Sequence, residues 1–287
     1  MTLRSLLFVP GDFERKFTRA NTSGADALIL DLEDSVAPSQ KPVARQHVAK
    51  LLDDPSPRDW CFFVRVNALD TGLALDGLAA VVKPGLDAIM IPKANGAEDL
   101  ARFGHYLDAL ETKARMPLGS VRMAVVATET AKAMFVLHSY ASAHPRLVAL
   151  TWGAEDLSAA LGATDNKEPD GVWAFPYEVA HAQCLFAASA ADVAPVDTIH
   201  ADFRDFDGLE RECRRSRRDG FLVHGDPSRP GWDDQTRCYA PSEAEIAHAR
   251  RIVEAFGAFP NAGTIGVDGK MVDIPHLKAA QKTLASI

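Results

Sequence analysis

The chain has 287 residues and a mass of 31.0 kDa, with 47% hydrophobic and 24% charged residues, the composition of a folded globular protein and not of a disordered one. Its 39 acidic residues outnumber the 31 Lys and Arg residues, which gives a formal net charge of −8. This excess of negative charge disfavours binding to nucleic acid and to anionic membrane surfaces.

Eight short apolar segments recur along the chain, and each ends in a polar or glycine-containing cluster. Their apolar residues are continuous rather than alternating, which is typical of strands buried on both faces of a parallel sheet. Amphipathic helical stretches separate the segments, so the sequence predicts an α/β fold, a TIM (β/α)8 barrel. A doubly wound open sheet is the alternative, but the Gly-rich dinucleotide fingerprint is missing after the first segment. We expect the strands within residues 5–11, 27–34, 61–67, 88–93, 122–130, 147–156, 196–203 and 220–226.

Several of the intervening stretches carry signals for the start and the end of a helix. Asp12 is the predicted N-cap of a first helix that ends before Gly24. Residues 96–112 predict another helix, with acidic residues at the positive end of its dipole. Near the end of the chain, Ser242 and Glu245 have the S-x-x-E spacing of a capping box.

The chain is expected to divide into a barrel and a smaller C-terminal part. Residues 1–235 form the predicted catalytic barrel, whose last strand is followed by a Pro/Gly-rich linker at 227–232. Residues 236–287 form a predicted helical appendage, too small for an independent domain, that we expect to pack on a neighbouring subunit.

Cysteine usage and the apolar segments bear on the compartment. The four cysteines are scattered and include no C-x-x-C pair, which disfavours a disulfide scaffold or a zinc–thiolate site and indicates a reducing environment. The first apolar run stops at Pro10, too early for a signal peptide, and no stretch is long enough to span a membrane. We therefore expect a cytoplasmic protein.

Polar residues follow almost every predicted strand. In a TIM barrel the C-terminal ends of the strands surround one mouth, where the active site lies, so these residues are expected on a single rim. A rim rich in carboxylates and free of cysteine favours Mg²⁺, with Mn²⁺ as the second choice. Glu129 and Asp156, on neighbouring strands, are the predicted ligands; the structural alternative is that the acids cap helices or pair with basic residues. The strand-end residues are Asp31, Glu33, Asp34, Arg65, Asn67, Lys93, Glu129, Glu155, Asp156, His200, Asp202, Asp205 and His224.

Two basic residues lie among these acids, and each has two interpretations. Arg65 could be a buried ion-pair partner of Asp31 or Glu33, or its planar guanidinium could hold a carboxylate or enolate oxygen of a substrate. Lys93 could form a Schiff base with an oxo acid, but among so many acids an ion pair is the favoured role. Borohydride trapping would separate the two roles of Lys93.

Several recognisable motifs lie along the chain, among them RSLLFVPG at 4–11, DLEDSV at 31–36 and WGAEDL at 152–157. Together they resemble the citrate lyase beta-subunit-like family, which includes malyl-CoA and citramalyl-CoA lyases. The most specific is the DLEDSV block with its downstream K and AR, and the similarity extends through APSEAEI and DGKMVDIP near the end of the chain. The other matching segments are RSLLFVPG at 4–11, GADALILDLEDSVAPSQKPVAR at 24–45, VRVN at 64–67, IPK at 91–93, TET at 128–130 and WGAEDL at 152–157.

The resemblance implies a Mg²⁺-dependent TIM-barrel lyase that cleaves or forms a carbon–carbon bond of a 3-hydroxyacyl-CoA. Malyl-, citramalyl- or citryl-CoA would give an acyl-CoA and a 2-oxo acid. By motif, Glu129 and Asp156 match the family's metal ligands, and Arg65 matches the group that binds the oxo-acid or thioester oxygen. Glu33 and Asp34 match partners of metal-bound water.

The resemblance also implies contacts outside the rim. Asp273 resembles an aspartate that some acyl-CoA lyases use as catalytic acid or base, contributed by a neighbouring subunit of a homotrimer or hexamer. Arg15, Lys16 and Arg19 are candidates for the phosphates of CoA, although a solvated helix face explains them equally well.

Two segments depart from the family pattern. Residues 220–227 read GFLVHGDP, without the Lys and the I-H-P-x-Q run that are usual there, and the altered region extends to Trp232. PYEVA at 176–180 lacks an arginine that is usual in the family. Both departures concern the expected CoA and acyl side, so a divergent subgroup with its own substrate is predicted.

Two other functions fit the same scaffold. A site that forms a thioester enolate needs only a path for water to act as an acyl-CoA thioesterase. The chain could instead be the lyase subunit of a multi-subunit citrate lyase complex, with an acyl-carrier subunit as its partner.

Overall fold

The eight predicted strands form a closed barrel. The computed structural model describes residues 3–142, 144–202, 204–226 and 238–285. Every strand is parallel to its neighbours and pairs with the next in chain order, and β8 closes the barrel against β1. The TIM-barrel prediction is confirmed. The strands are β1 Ser5–Pro10, β2 Ala27–Asp31, β3 Cys61–Arg65, β4 Ala88–Ile91, β5 Arg122–Val126, β6 Leu147–Thr151, β7 Ala194–Ile199 and β8 Val223–Asp226.

The strands separate two apolar layers, as their continuous apolar sequences require. Alternate residues such as Ala27 and Ile29 pack with those of the other strands inside the barrel, whereas Leu28 and Leu30 face outward and pack against the surrounding helices. Strands β1 to β7 end one to five residues before the end of their predicted segments, so most of the polar residues follow the strands. Asp31 and Arg65 are themselves the last residues of β2 and β3, and Asp156 lies in the first turn of the helix after β6.

Helices alternate with the strands on the outside of the barrel. The predicted N-cap Asp12 is wrong: the first helix begins one residue later, behind Phe13, and no side chain caps it. The helix ends at Ala20, with Asn21 at the C-cap position, and so stops before Gly24 as predicted. Within the part of the chain that the structure describes, no helix is long and apolar enough to cross a bilayer. The helices are α1 Glu14–Ala20, α2 Lys41–Leu52, α3 Ala74–Val81, α4 Ala97–Lys113, α5 Ala131–Met134, α6 Ala154–Leu161, α7 Phe175–Ala190 and α8 Phe206–Asp219.

A buried charge cluster ties α4 to the start of β6, at the end of the barrel opposite the strand-end rim. Glu111 is fully buried and accepts hydrogen bonds from Arg146 Nη1 at 2.8 Å and Nη2 at 2.6 Å. Arg146 also contacts Asp108. The backbone N–H groups of Gly119 and Val121 donate to the same carboxylate, each at 2.8 Å. The buried charges are therefore paired and hydrogen-bonded, as their stability requires.

The C-terminal part consists of helix Glu243–Ala258, the hairpin strands β9 Thr264–Val267 and β10 Lys270–Asp273, and helix Ile274–Ala285. They enclose a small apolar core of their own. The predicted capping box at Ser242 is confirmed. The barrel is contacted through Tyr239, whose hydroxyl lies 2.7 Å from Ser216 Oγ. The linker and the proposed boundary at 235 lie outside the described residues, and packing on a neighbouring subunit stays a prediction.

Candidate active site

A cavity of about 940 Å³ opens at the rim formed by the C-terminal ends of the strands. Because all eight strands are parallel, the residues that follow them converge on this one mouth. The charged residues of its wall include Arg19, Asp31, Arg65, Glu129, Glu155 and Asp156.

Arg65 ends β3 and is held in a fixed orientation on the cavity wall. Its Nε and Nη2 atoms donate to the two oxygens of Asp31, at 2.7 and 2.6 Å, and Asp31 is the residue beside it in the register of β2. The guanidinium also lies over the ring of Phe8, 5.1 Å from its centroid, while Nη1 is 3.5 Å from Glu33. The ion-pair interpretation of Arg65 is therefore confirmed, and Nη1 is the atom least engaged by it.

The two carboxylates that pair with Arg65 differ in their pKa shifts. Burial raises the pKa of Asp31, but the Arg65 charge and hydrogen bond outweigh this effect, so the pKa lies below its ordinary value. Burial also raises the pKa of Glu33, and here it outweighs the opposing effects of Arg65 and Lys93. Arg65 therefore favours the anionic form of Asp31, the carboxylate that it holds with two hydrogen bonds.

Lys93, two residues beyond β4, joins three of the predicted acids. Its Nζ lies 2.5 Å from Glu33 Oε1, 2.6 Å from Asp34 Oδ2 and 3.2 Å from Asp156 Oδ1. Burial lowers the pKa of Lys93, but hydrogen bonds to Asp34 and Glu33 outweigh it and raise the pKa above its usual value. The ammonium is therefore protonated, which favours the ion-pair role and disfavours nucleophilic attack on an oxo acid.

Glu129 follows β5 and is almost completely enclosed, with only 4% of its surface exposed. The backbone N–H of Lys93 donates to its Oε2 atom. On its other side lies Gly153, where a Cβ atom would approach Glu129 Cγ to 2.7 Å. Burial and the neighbouring charge of Asp156 raise the pKa of Glu129 to about 8.

The Glu129–Asp156 pair has the chemistry of a hard-cation site. A buried carboxylate whose pKa is raised by a second carboxylate gains stability as an anion when a cation lies between them. No group of three or more His, Cys, Asp or Glu side chains that could hold a metal occurs within the described ranges, so these two would be the protein ligands. Mg²⁺ is commonly bound by one or two carboxylates together with water and substrate oxygens. The residues present therefore fit Mg²⁺.

The loop that carries Glu33 and Asp34 is held by side chains behind it. Lys41 Nζ donates to the carbonyl oxygens of Leu32 and Glu33, at 3.0 and 2.9 Å. Asn67, another predicted strand-end residue, donates from Nδ2 to the Leu32 carbonyl at 2.9 Å. These bonds fix the backbone that carries the two acids, which contact Lys93 beside the cavity and are not among the residues that line it.

Other strand-end residues have structural partners instead. Asp205 is the N-cap of α8 and accepts from the Gly208 N–H at 2.8 Å. His200 is buried, and its Nδ1 lies 2.8 Å from Glu212 of α8. Asp202 Oδ1 accepts from the Arg204 N–H at 2.9 Å.

Glu155 lines the cavity, but its carboxylate accepts a hydrogen bond from Asn166 Nδ2 at 2.9 Å. The side chain of His224 lies outside the described residues.

Of the three basic residues predicted to contact the phosphates of CoA, two line the cavity and one does not. Lys16 and Arg19 of α1 line the cavity, and Lys16 lies over the ring of Phe13, 5.1 Å from its centroid. Arg15 is exposed on the same helix and is not part of the cavity wall. Of the altered segment that ends at Trp232, residues 227–232 lie outside the described residues.

Asp273 ends the hairpin of the C-terminal part. It is paired with His276, whose Nδ1 lies 2.5 Å from Asp273 Oδ1. This hydrogen bond lowers the pKa of Asp273. Its predicted role depends on a neighbouring subunit and stays a prediction.

The sequence predicted most of these side chains but missed two residues that shape the site. Phe8 supports Arg65, and Gly153 leaves the space that Glu129 occupies. A signal for Gly153 is present in WGAED, where a residue without a side chain comes just after a strand and two positions before a pair of acids.

Comparison with known proteins gives consistent matches over the whole chain. A model of the HpcH/HpaI aldolase/citrate lyase family matches residues 4–224. Citrate lyase subunit beta of Escherichia coli K12 is 33% identical over 99% of this chain and 93% of that protein. A (3S)-malyl-CoA thioesterase of Cereibacter sphaeroides is 34% identical over 98% of this chain and 93% of its own length. The protein CitE of Mycobacterium tuberculosis, solved with magnesium, acetoacetate and coenzyme A, superposes with a TM-score of 0.78 at 32% identity, covering 99% of this chain and 98% of that one.

Proposed function

Because the chain belongs to the HpcH/HpaI aldolase/citrate lyase family, a family of enzymes, we propose that it is a Mg²⁺-dependent carbon–carbon lyase. Its substrate would be a 3-hydroxyacyl-CoA such as malyl-, citramalyl- or citryl-CoA, which it cleaves to, or forms from, an acyl-CoA and a 2-oxo acid. The observation that carries the proposal is the enclosed Glu129 next to the half-buried Asp156 on the cavity wall, together with the fixed guanidinium of Arg65. CitE of M. tuberculosis, a structural relative, was solved with magnesium, acetoacetate and coenzyme A together.

In this proposal Glu129 and Asp156 hold the ion, with Mn²⁺ as the alternative metal. Bound there, Mg²⁺ would act as a Lewis acid on the substrate oxygen that becomes the ketone of the oxo acid. We assign Glu33 and Asp34 to water around the ion rather than to the ion itself, because both already accept hydrogen bonds from Lys93 Nζ.

Arg65 supplies the fixed positive charge for the proposed reaction. Breaking the carbon–carbon bond leaves an electron pair on the thioester fragment, so negative charge develops on an enolate oxygen. Asp31 and Phe8 already hold the guanidinium in position, and Nη1 is free of the bidentate contact with Asp31. Because the group needs no reorientation when the charge develops, it stabilises the transition state more than the substrate.

Asp273 is the proposed acid that protonates the enolate carbon, in the cavity of a neighbouring subunit. Because the hydrogen bond from His276 favours its carboxylate form, it would first take up the proton that the substrate hydroxyl loses and then deliver it to the carbon. Its half-exposed position at the end of the C-terminal hairpin, in a part of the chain that has an apolar core of its own, supports contribution in trans. Mixed oligomers test this role. Glu129→Gln and Asp273→Ala homo-oligomers should both be inactive, whereas co-refolded mixtures should regain part of the activity. No recovery in mixtures shown to contain both chains would contradict it.

The lyase proposal is tested by supplying malyl-, citramalyl- and citryl-CoA with Mg²⁺ and identifying the oxo acid released. Excess EDTA should abolish the activity, and Mg²⁺ or Mn²⁺ should restore it. Glu129→Gln and Asp156→Asn should lose activity and Mn²⁺ binding while keeping the wild-type circular dichroism spectrum. Full activity in either variant, or in EDTA, would contradict the metal assignment.

Thioester hydrolysis is the second candidate, favoured by the similarity to the (3S)-malyl-CoA thioesterase. The same assay separates the two reactions by their products. A lyase releases an oxo acid and an acyl-CoA, whereas a thioesterase releases free CoA and a free hydroxy acid. Water that reaches the thioester carbonyl would suffice for the change.

The similarity to a citrate lyase beta subunit supports a third arrangement, in which the substrate is a thioester of an acyl-carrier subunit. Cytoplasmic localisation and a homotrimer or hexamer belong to the proposal as well. Activity on a carrier-protein thioester, together with none on the CoA thioesters, would identify the complex subunit.

A further inference from the structure

We propose that Lys93 is a positioning residue whose left-handed backbone orients Glu129 for the cation, separately from the contacts of its ammonium group. This inference rests on the proposed function, because it concerns one of the two proposed metal ligands. It assigns to the backbone of Lys93 a role that a substitution of the side chain alone would not reveal.

The first observation is the conformation itself. Lys93 has a φ of 51°, in the left-handed region that residues with a side chain rarely occupy. Within the described ranges, three other non-glycine residues have a positive φ, namely Arg115, Asp192 and Asp268. All three are exposed turn residues, whereas Lys93 is partly buried among the acids of the cavity rim. A strained backbone at a candidate active site points to a function of that conformation.

The second observation is what the conformation achieves. The Lys93 N–H donates to Glu129 Oε2, and this is the hydrogen bond that the described part of the chain gives to the Glu129 carboxylate. One oxygen of the carboxylate is thereby fixed, and Oε1 remains for a ligand. The N–H of Lys93 belongs to the peptide before its Cα and its carbonyl to the peptide after it, so φ and ψ of Lys93 set the angle between these two groups. An extended conformation could not direct the N–H to Glu129 while the carbonyl accepts from Asn95, and losing the first contact would leave a nearly buried carboxylate without its donor.

The third observation is that the peptide is fixed from its other end as well. Asn95 Nδ2 donates to the Lys93 carbonyl at 3.2 Å, and Thr130 Oγ1 donates to Asn95 Oδ1 at 3.0 Å. Thr130 follows Glu129 directly in the chain. The loops after β4 and β5 are thus joined by two sets of hydrogen bonds, one through Glu129 and one through Thr130.

The side chain of Lys93 is engaged elsewhere, with Glu33, Asp34 and Asp156. The two contributions can therefore be separated by substitution. Gly and Asn tolerate the left-handed conformation, whereas a β-branched residue strongly disfavours it. Lys93→Asn and Lys93→Val both remove the ammonium, so the difference between these two variants reports on the backbone.

The experiment is a titration of each purified full-length variant with Mn²⁺, followed by electron paramagnetic resonance of the free ion. Lys93→Gly and Lys93→Asn should bind Mn²⁺ with similar affinity. Lys93→Val should bind 10- to 100-fold more weakly than Lys93→Asn, the range typical of losing a group that orients a metal ligand. Equal affinity of Lys93→Val and Lys93→Asn would overturn the inference.

Two controls keep the outcomes distinct. Circular dichroism establishes that Lys93→Val is folded; if it is not, Lys93→Ala replaces it, with weaker binding than Lys93→Gly expected and equal binding overturning the inference. Glu129→Gln is titrated in parallel. Undiminished Mn²⁺ binding by Glu129→Gln would overturn the proposed metal site itself. If Glu129→Gln loses Mn²⁺ binding but Lys93→Val and Lys93→Asn bind Mn²⁺ equally well, only the role of Lys93 is overturned.

Discussion

Replacing Gly153 with Ala should displace Glu129 without unfolding the barrel. The added Cβ would lie 2.7 Å from Glu129 Cγ, about 0.7 Å inside the 3.4 Å at which ordinary van der Waals contact begins. Gly153 has φ −117° and ψ 104°, which any residue can adopt, so the effect is steric and not conformational. Val126 Cγ1 would lie 3.3 Å from the same Cβ, which leaves the new methyl group little room to shift.

The displacement should affect binding more than stability. Overpacking by one methyl group costs about 1–3 kcal/mol of unfolding free energy, which a barrel of this size should tolerate. A metal ligand that is no longer held in place typically loses 10- to 100-fold in affinity. We therefore expect Mn²⁺ binding, measured by titration, to weaken by that factor, and lyase activity at subsaturating metal to fall with it.

Gly77→Ala is the matched control for this substitution. Gly77 is buried, but the nearest atom to its added Cβ would be Leu32 Cδ1 at 3.7 Å, an ordinary contact. It should leave Mn²⁺ affinity unchanged. If Gly153→Ala bound Mn²⁺ as tightly as Gly77→Ala does, the close packing of Glu129 against residue 153 would not determine the geometry of the site.

Arg146→Met should lower the free energy of unfolding by about 3–5 kcal/mol in urea titrations, because Glu111 would remain buried without its cation. Adding Glu111→Leu should recover part of that loss, and additive effects of the two substitutions would contradict the pairing. Burial raises the pKa of Glu111, but the Arg146 hydrogen bond and the backbone N–H groups outweigh it and lower the pKa from 4.5 to about 2. The free energy of unfolding of the wild type should therefore fall as pH falls from 4.5 to 2, and more steeply than that of Arg146→Met. The same dependence of stability on pH in both proteins would contradict this assignment. Borohydride reduction in the presence of pyruvate should leave Lys93 unlabelled, because its ammonium is held by three carboxylates; a covalent adduct found there by mass spectrometry would restore the Schiff-base alternative. Asp31→Asn should reduce activity without abolishing Mn²⁺ binding, since it releases Arg65 and not Glu129; lost Mn²⁺ binding would instead make Asp31 part of the cation site.

The barrel was predictable from the sequence because its strands are buried on both faces. A segment such as Ala88–Ile91, buried at every position, has no polar alternation that could be mistaken for a surface strand. The helix ends were less predictable. Asp12 has the chemistry of an N-cap, but the first helix begins behind Phe13 and no side chain caps it. Cap chemistry alone does not determine where tertiary packing starts a helix.

The candidate site was predictable in its residue types and less so in its pairings. Parallel strands bring Glu129 and Asp156 to one rim whatever the loops do. Asp205 and His200 also follow a strand, yet Asp205 caps α8 and His200 pairs with Glu212. Loop conformation decides between these outcomes, and it depends on contacts distant in sequence. The left-handed backbone at Lys93 has no sequence signal of its own, because lysine is not a residue that favours it.

The hydrogen bonds from Lys41 and Asn67 to the backbone of the loop at residues 32–36 have a thermodynamic consequence. The acids of this loop are held by the protein itself, so a ligand need not order the loop when it binds. The conformational entropy of the loop is lost during folding and not during association. Calorimetry should therefore assign the entropic cost of binding mainly to the ligand and its released water, and removing the Lys41 ammonium should transfer part of that cost to the protein.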